Sequence, residues 1–264
     1  MCQDCGCDKP ARPGHGRKGK FVHTHDGHTH THAHGDAAHA AHDAAPAAAP
    51  RRIVVEQSVL ARNDALAARN RQWLDEHGVV AVNLISSPGA GKTALLEKTL
   101  DRLAGEVKCA VITGDQQTDN DARRLRGRGA AVMQIQTRSA CHLNAGQIAK
   151  ALPRVVKPGT RLLFIENVGN LVCPAAFDLG EHFKIALLST AEGEDKPLKY
   201  PTLFANAPVV VLTKMDLAPH LDWDAAACRR SLRQIHPGVF IIELSARSGD
   251  GMDTWIDYLR KLVS

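Results

Sequence analysis

The chain has 264 residues, 44% of them hydrophobic, and a formal net charge of +5. That length has room for one or two domains with a substantial core, and the mild charge, without any basic block interleaved with aromatics, argues against nucleic acid as a partner. No apolar run is long enough to span a membrane and no signal-peptide core follows Met1, so a cytoplasmic location is expected. Thiols stay reduced there, and the seven cysteines read as metal ligands or core residues rather than disulfides.

The chain begins with Cys2, Cys5 and Cys7 in the spacing C-x-x-C-x-C. Nothing apolar surrounds these thiols, so they do not form a core. Soft thiolates at this spacing can converge on one ion, with Gly6 permitting the turn. Removal of Met1 would free an amine as a fourth ligand, a set suited to square-planar Ni²⁺ or, with other geometry, to tetrahedral Zn²⁺. The plainer alternative is a disordered tail with incidental cysteines. Nine of the 14 histidines then fall between His15 and His42, eight of them in the low-complexity run FVHTHDGHTHTHAHGDAAHAAHD. Such a tract binds metal without needing a fixed fold, and many weak sites make a reservoir. The histidines are broken up by Thr, Ala, Gly and Asp, unlike an artificial tag. Ala37 to Pro50 reads as a flexible tether. Residues 1–50 are thus expected to be a disordered Cys/His-rich tail and linker, and 51–264 a folded domain.

Arg51 to His77 predicts a lead-in segment ending in a helix with Leu66, Asn70, Trp73 and Leu74 on one face and Gly78 as its stop. It is assigned packing work alone. Val79 to Ile85 is an apolar strand, followed by a glycine-rich turn and a helix opening at about Lys92. Strand, glycine loop and helix with Gly91-Lys92-Thr93 at the junction form a P-loop arrangement. Gly89, Ala90, Gly91, Lys92, Thr93 and Ala94 are the candidate phosphate site. The glycines let backbone N–H groups approach phosphate oxygens, Lys92 would reach the β- and γ-phosphates, and the Thr93 hydroxyl would ligate Mg²⁺. Ser86 stands where the general motif has glycine.

Strands and helices alternate from there on. Strands are predicted over Lys108–Thr113, Ala131–Gln136, Arg161–Ile165, Phe183–Ser189, Pro208–Leu212 and Val239–Leu244. Helices are predicted over Asp119–Arg126, Cys141–Leu152, Trp223–Ile235 and Met252–Leu262. Near-continuous apolar strands in this alternation mean an α/β fold, a mainly parallel sheet with helices on both faces, and ligands at the carboxyl ends of the strands.

The remaining motifs fall at those ends. Asp115 and Glu166 are candidate carboxylates for Mg²⁺, though Asp115 reads almost equally well as a turn residue after Gly114. Glu166-Asn167-Val168-Gly169 is similar to the D-x-x-G switch of GTPases, and the Gly169 N–H would sense the γ-phosphate. Thr213-Lys214-Met215-Asp216 is similar to N-K-x-D. The Asp216 carboxylate can accept from two guanine donors that adenine lacks, which selects GTP over ATP. Thr213 in place of asparagine costs an amide. Ser245, Ala246 and Arg247 look like the S-A-K loop that closes on the guanine carbonyl. No arginine finger stands out, so slow intrinsic hydrolysis is expected. Cys141 and His142 are adjacent at the predicted start of a helix, where a thiolate is favoured. Cys173 lies four residues past Gly169. Together these three offer two sulfurs and a nitrogen to one borderline metal, with a symmetry mate completing the shell. Cys109 and Cys228 read as core.

With C-x-x-C-G-C, the P-loop, the Cys-His pair, E-N-V-G-N-L-V-C-P and T-K-M-D in one chain, the sequence resembles the HypB family, nickel-insertion GTPases of [NiFe]-hydrogenase maturation. The resemblance implies a SIMIBI-class G domain that dimerises with GTP. It implies a tight nickel site at Cys2, Cys5 and Cys7 and a second Zn²⁺/Ni²⁺ site at Cys141, His142 and Cys173. It also implies delivery to the hydrogenase large subunit with the metallochaperone HypA. Ser86 matches the family's own S-S-P-G form. The alternatives are a related urease-type nickel GTPase, which the N-terminal cysteines and the E-N-V-G-N-L-V-C-P loop argue against, and a nickel store with a regulatory G domain.

Overall fold

A computed structural model describes residues 22–25, 28–31, 51–116 and 119–264, with side chains from Ser58 onward. Cys2, Cys5, Cys7, the tether and most of the histidine tract lie outside the described residues. The chain divides into two units, with the boundary between residues 48 and 49. In the first, β1 (Val22–His25) pairs antiparallel with β2 (His28–Thr31), in a register that sets His23 opposite His30 and His25 opposite His28.

The second unit opens with α1 (Arg51–Glu76) and continues β3 (Val80–Ser86), α2 (Lys92–Leu103), β4 (Cys109–Asp115), α3 (Asn120–Leu125), β5 (Ala131–Gln136), α4 (Ala145–Val155), β6 (Leu162–Glu166). Then come the short α5 (Cys173–Ala176), β7 (Phe183–Ser189), the short α6 (Lys196–Lys199) and α7 (Pro201–Ala205), β8 (Val209–Thr213), α8 (Ala225–Ile235), β9 (Phe240–Glu243) and α9 (Met252–Val263). The seven strands β3 to β9 are all parallel, in the order β5-β4-β6-β3-β7-β8-β9. This is the α/β sheet that the apolar runs predict. The short helices α5, α6 and α7 carried too few residues to show a periodicity.

Strand alternation sorts the core into layers. Val82 and Leu84 join Val111, Phe164, Ile185 and Val211 beneath α2 and α9, where Leu95, Leu96, Trp255 and Ile256 are buried. On the other face, Ala81, Ile112 and Ile165 pack under Leu74 of α1 and Ile148 and Leu152 of α4. Ile85, Leu188 and Val210 pack under Phe204 of α7 and Leu232 of α8. Each fully buried leucine or isoleucine contributes about 1.5–3 kcal/mol. Asn83, on the central strand between Ala81 and Ile85, is fully buried where an apolar residue would be expected.

Two predicted elements differ from what is found. The helix expected from Cys141 begins at Ala145, because Asn144 caps it: its side chain accepts from Gln147 N, and the Gln147 side chain accepts from Asn144 N. This reciprocal capping box starts the helix four residues later than predicted. Cys141 and His142 therefore precede the helix in an irregular segment, and the helix-start argument for a thiolate there does not hold. The lead-in helix also does more than pack. Asn70 Nδ2 donates to the carbonyls of Ala145 and Leu179 at 2.9 Å each. Asn63 accepts from Ala145 N at 2.9 Å and donates to Asp178 O at 2.7 Å, while Arg71 forks onto the Asp178 carboxylate.

Candidate functional site

Strand β3 is flanked by β6 and β7, and the order of connection reverses there. A cleft forms at the carboxyl ends of the strands at such a reversal. Gly89 and Gly91 adopt φ of +74° and +99° in the loop above β3, a conformation that a side chain would strain. Lys92 Nζ donates to Ser86 Oγ at 2.7 Å, and Ser86 in turn donates to Ser87 O at 2.6 Å. The serine in the glycine position thus holds the ammonium folded back over the loop. Burial lowers the Lys92 pKa against the opposing pull of Glu166, Asp121 and Glu192.

Thr93 Oγ1 donates to Glu166 Oε1 at 2.6 Å. Burial pushes the Glu166 carboxyl up to about 7, opposed in part by the Thr93 hydroxyl and by Lys92. Its other oxygen, Oε2, is buried with no hydrogen-bond partner among the described residues. A hydroxyl beside a carboxylate with an unmet buried oxygen fits a hard cation such as Mg²⁺. The cavity here measures about 550 Å³, and Gly89, Lys92, Thr93, Asp115, Glu166 and Gly169 are on its wall. Sequence reasoning missed Asp121, Arg124 and Asn167, which also line it. Asp121 and Arg124 lie three apart on α3 and share a face, but only the fold shows that this face meets the cleft. Arg124 is already bonded to Glu97.

A second cavity of about 300 Å³ adjoins the first, both touching Gly91 and Ala94. Ala90, Lys214, Asp216, Ser245, Ala246 and Arg247 line it. Lys214 sits at φ +59°, with its carbonyl accepting from Thr190 Oγ1 at 3.0 Å. Ser245 Oγ accepts from the N–H groups of Arg247 and Ser248, which curls the Ser-Ala-Arg loop. Thr213 is not idle: its hydroxyl donates to Ala90 O at 2.7 Å, tying the end of β8 to the P-loop.

Cys141, His142 and Cys173 converge, with one donor atom from each lying within 4.8 Å of the others. Cys141 Sγ is 3.8 Å from His142 Nδ1. The imidazole packs tilted against Phe177 with ring centroids 4.0 Å apart, and burial lowers its pKa, which favours the neutral, ligating form. Hydrogen bonding to Cys141 and then burial hold the Cys173 thiol above its usual range. Two sulfurs beside a neutral imidazole are a donor set for Ni²⁺ or Zn²⁺. Cys109 and Cys228 are buried and their thiols are pushed up to about 12, as inert core residues would be. Gly169 joins the two centres: a Cβ there would lie 2.9 Å from the Pro88 backbone, so the loop leading to Cys173 rests on the P-loop.

Residues 80–243 match the family model described as the CobW/HypB/UreG nucleotide-binding domain. The chain is 52% identical over 216 residues to the hydrogenase maturation factor HypB of Escherichia coli K12, covering 81% of this chain and 74% of that protein. It is 38% identical to the probable hydrogenase maturation factor HypB of Methanocaldococcus jannaschii, covering 79% of this chain and 95% of the relative. Among solved structures, HypB from Helicobacter pylori in complex with nickel matches with a TM-score of 0.73 and 35% identity, over 76% of this chain and 95% of that one. HypB from Archaeoglobus fulgidus matches with a TM-score of 0.73 and 39% identity, over 78% and 100%. A P-loop sheet, a switch-like Glu-Asn-Val-Gly turn and matches over about four-fifths of the chain agree with one another: the chain belongs to the HypB family within the CobW/HypB/UreG nucleotide-binding proteins.

Proposed function

We propose that this protein is a GTP-hydrolysing metallochaperone that binds nickel and delivers it for [NiFe]-hydrogenase maturation, with the GTP state controlling dimerisation and metal affinity. The observation that carries this reading is a single stretch, Glu166 to Cys173. It begins at the phosphate cavity, passes over Pro88 at Gly169, and ends at a donor of the metal set. Arrival or loss of a γ-phosphate near Gly169 would displace Cys173.

In the nucleotide half, Lys92 binds the β- and γ-phosphates, and Thr93 and Glu166, with Asp115 across the cavity, hold Mg²⁺, which neutralises phosphate charge. Asp216 reads guanine and Gly169 N–H reads the γ-phosphate. The wall arginine, Arg124, is engaged with Glu97, in keeping with slow intrinsic hydrolysis. In the metal half, Cys141, His142 and Cys173 take Ni²⁺ or Zn²⁺, and a homodimer mate completes the coordination. Cys2, Cys5 and Cys7 form a further nickel site. A HypA-type metallochaperone and the hydrogenase large subunit are the partners this role requires. The relatives' names support it: those from E. coli and M. jannaschii are called hydrogenase maturation factors, and the H. pylori structure holds nickel.

Nickel release from the full chain to a competing chelator, after Cys2→Ser, Cys5→Ser and Cys7→Ser substitution, tests the reading. Rates that differ between GDP and a non-hydrolysable GTP analogue support gated delivery. Equal rates would sink it and favour a nickel store, as would a stoichiometry of many weakly held ions.

A further inference from the structure

The metal donors come from two separate stretches of backbone. Cys173 follows Glu166 along a short loop, whereas Cys141 and His142 have no such covalent route to the phosphate cavity. We propose that Asn167 is the positioning residue that couples the nucleotide end of β6 to the Cys141-His142 half of the metal set, an inference that rests on the gating of metal affinity by nucleotide proposed above.

The link runs through Leu143. Its backbone N–H donates to Asn167 Oδ1 at 3.2 Å, and the same oxygen accepts from Val168 N at 3.0 Å. One side-chain oxygen therefore holds both the segment after His142 and the start of the loop toward Cys173. Asn167 is itself fixed. Its N–H donates to Leu84 O at 3.1 Å, prolonging the β3–β6 pairing by a residue. Its Nδ2 donates to Asn83 Oδ1 at 3.3 Å, and Asn83 Nδ2 donates to the Glu181 carboxylate at 3.1 Å. Asn167, Asn83 and Leu143 are 1%, 0% and 0% exposed, so water does not stand in for a lost partner and the bonds must move together or break at a cost.

Leu143 is gripped from a second side. A Cβ on Gly114 would lie 2.8 Å from Leu143 Cγ, so the leucine side chain covers that glycine. Gly114 immediately precedes Asp115 and Asn167 immediately follows Glu166, two of the carboxylates on the phosphate cavity. The residue after His142 thus touches the neighbours of both. Displacement of Val168 and Gly169 by a γ-phosphate forces the shared oxygen of Asn167 to carry Leu143 with it or to release a buried donor. Either response shifts His142 and Cys141 relative to Cys173.

The experiment measures Ni²⁺ affinity by the thiolate-to-nickel absorption band, at saturating GDP and at saturating GTP analogue. It uses the full chain carrying Cys2→Ser, Cys5→Ser and Cys7→Ser, alone and with Asn167→Ala or Asn167→Asp. Without further change the two affinities should differ by about tenfold, within the usual range of coupling between sites. Asn167→Ala should bring that ratio to within about twofold of unity. Asn167→Asp keeps an acceptor for Leu143 and Val168 and should preserve most of the ratio even though it loses the bond to Asn83. A merely structural role would lower the melting temperature and weaken both affinities equally, leaving the ratio intact, and that result overturns the proposal. Should the alanine variant not fold, loss of the ratio in the aspartate variant overturns it instead. A ratio of one before any change at Asn167 would refute nucleotide gating itself and this inference with it. A normal ratio in both the parent and Asn167→Ala refutes the inference alone.

Discussion

At the scale of single residues, most of the chemistry rests on side chains whose partners make specific demands. Asp216 lines the smaller cavity, and Asp216→Ala should remove two charge-assisted bonds to guanine. Preference for GTP over ATP should then fall by about 100-fold or more, read by competition binding. Thr213 shows how a departure from a familiar motif can carry its own function, because its hydroxyl reaches Ala90 O. Thr213→Val, which keeps the shape but loses that bond, should cost about 1 kcal/mol in stability and weaken nucleotide binding severalfold. The cysteines divide cleanly by environment. Cys173→Ser should abolish tight Ni²⁺ binding at the G-domain centre, whereas Cys109→Ala, at a buried thiol on β4, should leave nickel stoichiometry unchanged in equilibrium dialysis. Those candidate residues stood out in the sequence because P-loop, switch and guanine motifs are local strings. Asn83 and Asn167 did not, since an asparagine within or just past an apolar strand carries no sign of what it meets across the sheet.

At the scale of elements, α1 behaves as a clamp. Its Asn63 and Asn70 hold both the first residue of α4 and the 178–179 segment, the stretch that follows α5 and the candidate metal donor Cys173. Asn70→Ala would strand two buried carbonyls, and a loss of about 2–4 kcal/mol in unfolding free energy is expected in urea titration. Gly180, at φ +92° with a prospective Cβ only 2.5 Å from Asn70 Cβ, should tolerate no larger residue. The periodicity of α1 marked its buried face, with Asn70 and Leu74 on it. The polar clamp was hidden because hydrogen bonds to distant carbonyls leave no local pattern. The same blindness explains α4: an apolar run can be extended upstream to Cys141 on propensity, but the Asn144–Gln147 cap decides where the helix begins.

At the scale of the whole molecule, the proposed function places a nucleotide site and a metal site in one domain, and gating of one by the other requires that their free energies be linked. Nickel at the Cys141, His142 and Cys173 centre should change the ratio of GTP-analogue to GDP affinity by the same factor by which nucleotide changes nickel affinity. Calorimetric titration of nucleotide with and without Ni²⁺, on the chain lacking the N-terminal thiols, measures this directly. Identical ratios would dismiss the linkage. The amino-acid sequence by itself determined the alternation of apolar strands and helices, hence a parallel sheet with its ligands at the carboxyl ends, and it named the phosphate, guanine and thiol residues. The fold depends on composition and spacing over a few residues, where the chain's own periodicity is the signal, and the phosphate, guanine and thiol residues are candidates picked out by local motifs. Only the tertiary structure decided that Asp121 and Arg124 face the cleft, and that Cys141 and His142 meet Cys173. The same holds for Asn167, whose one side-chain oxygen accepts from both Leu143 and Val168. Such contacts join residues far apart in the chain, and their geometry is set by how the sheet orders its strands rather than by any neighbour in sequence.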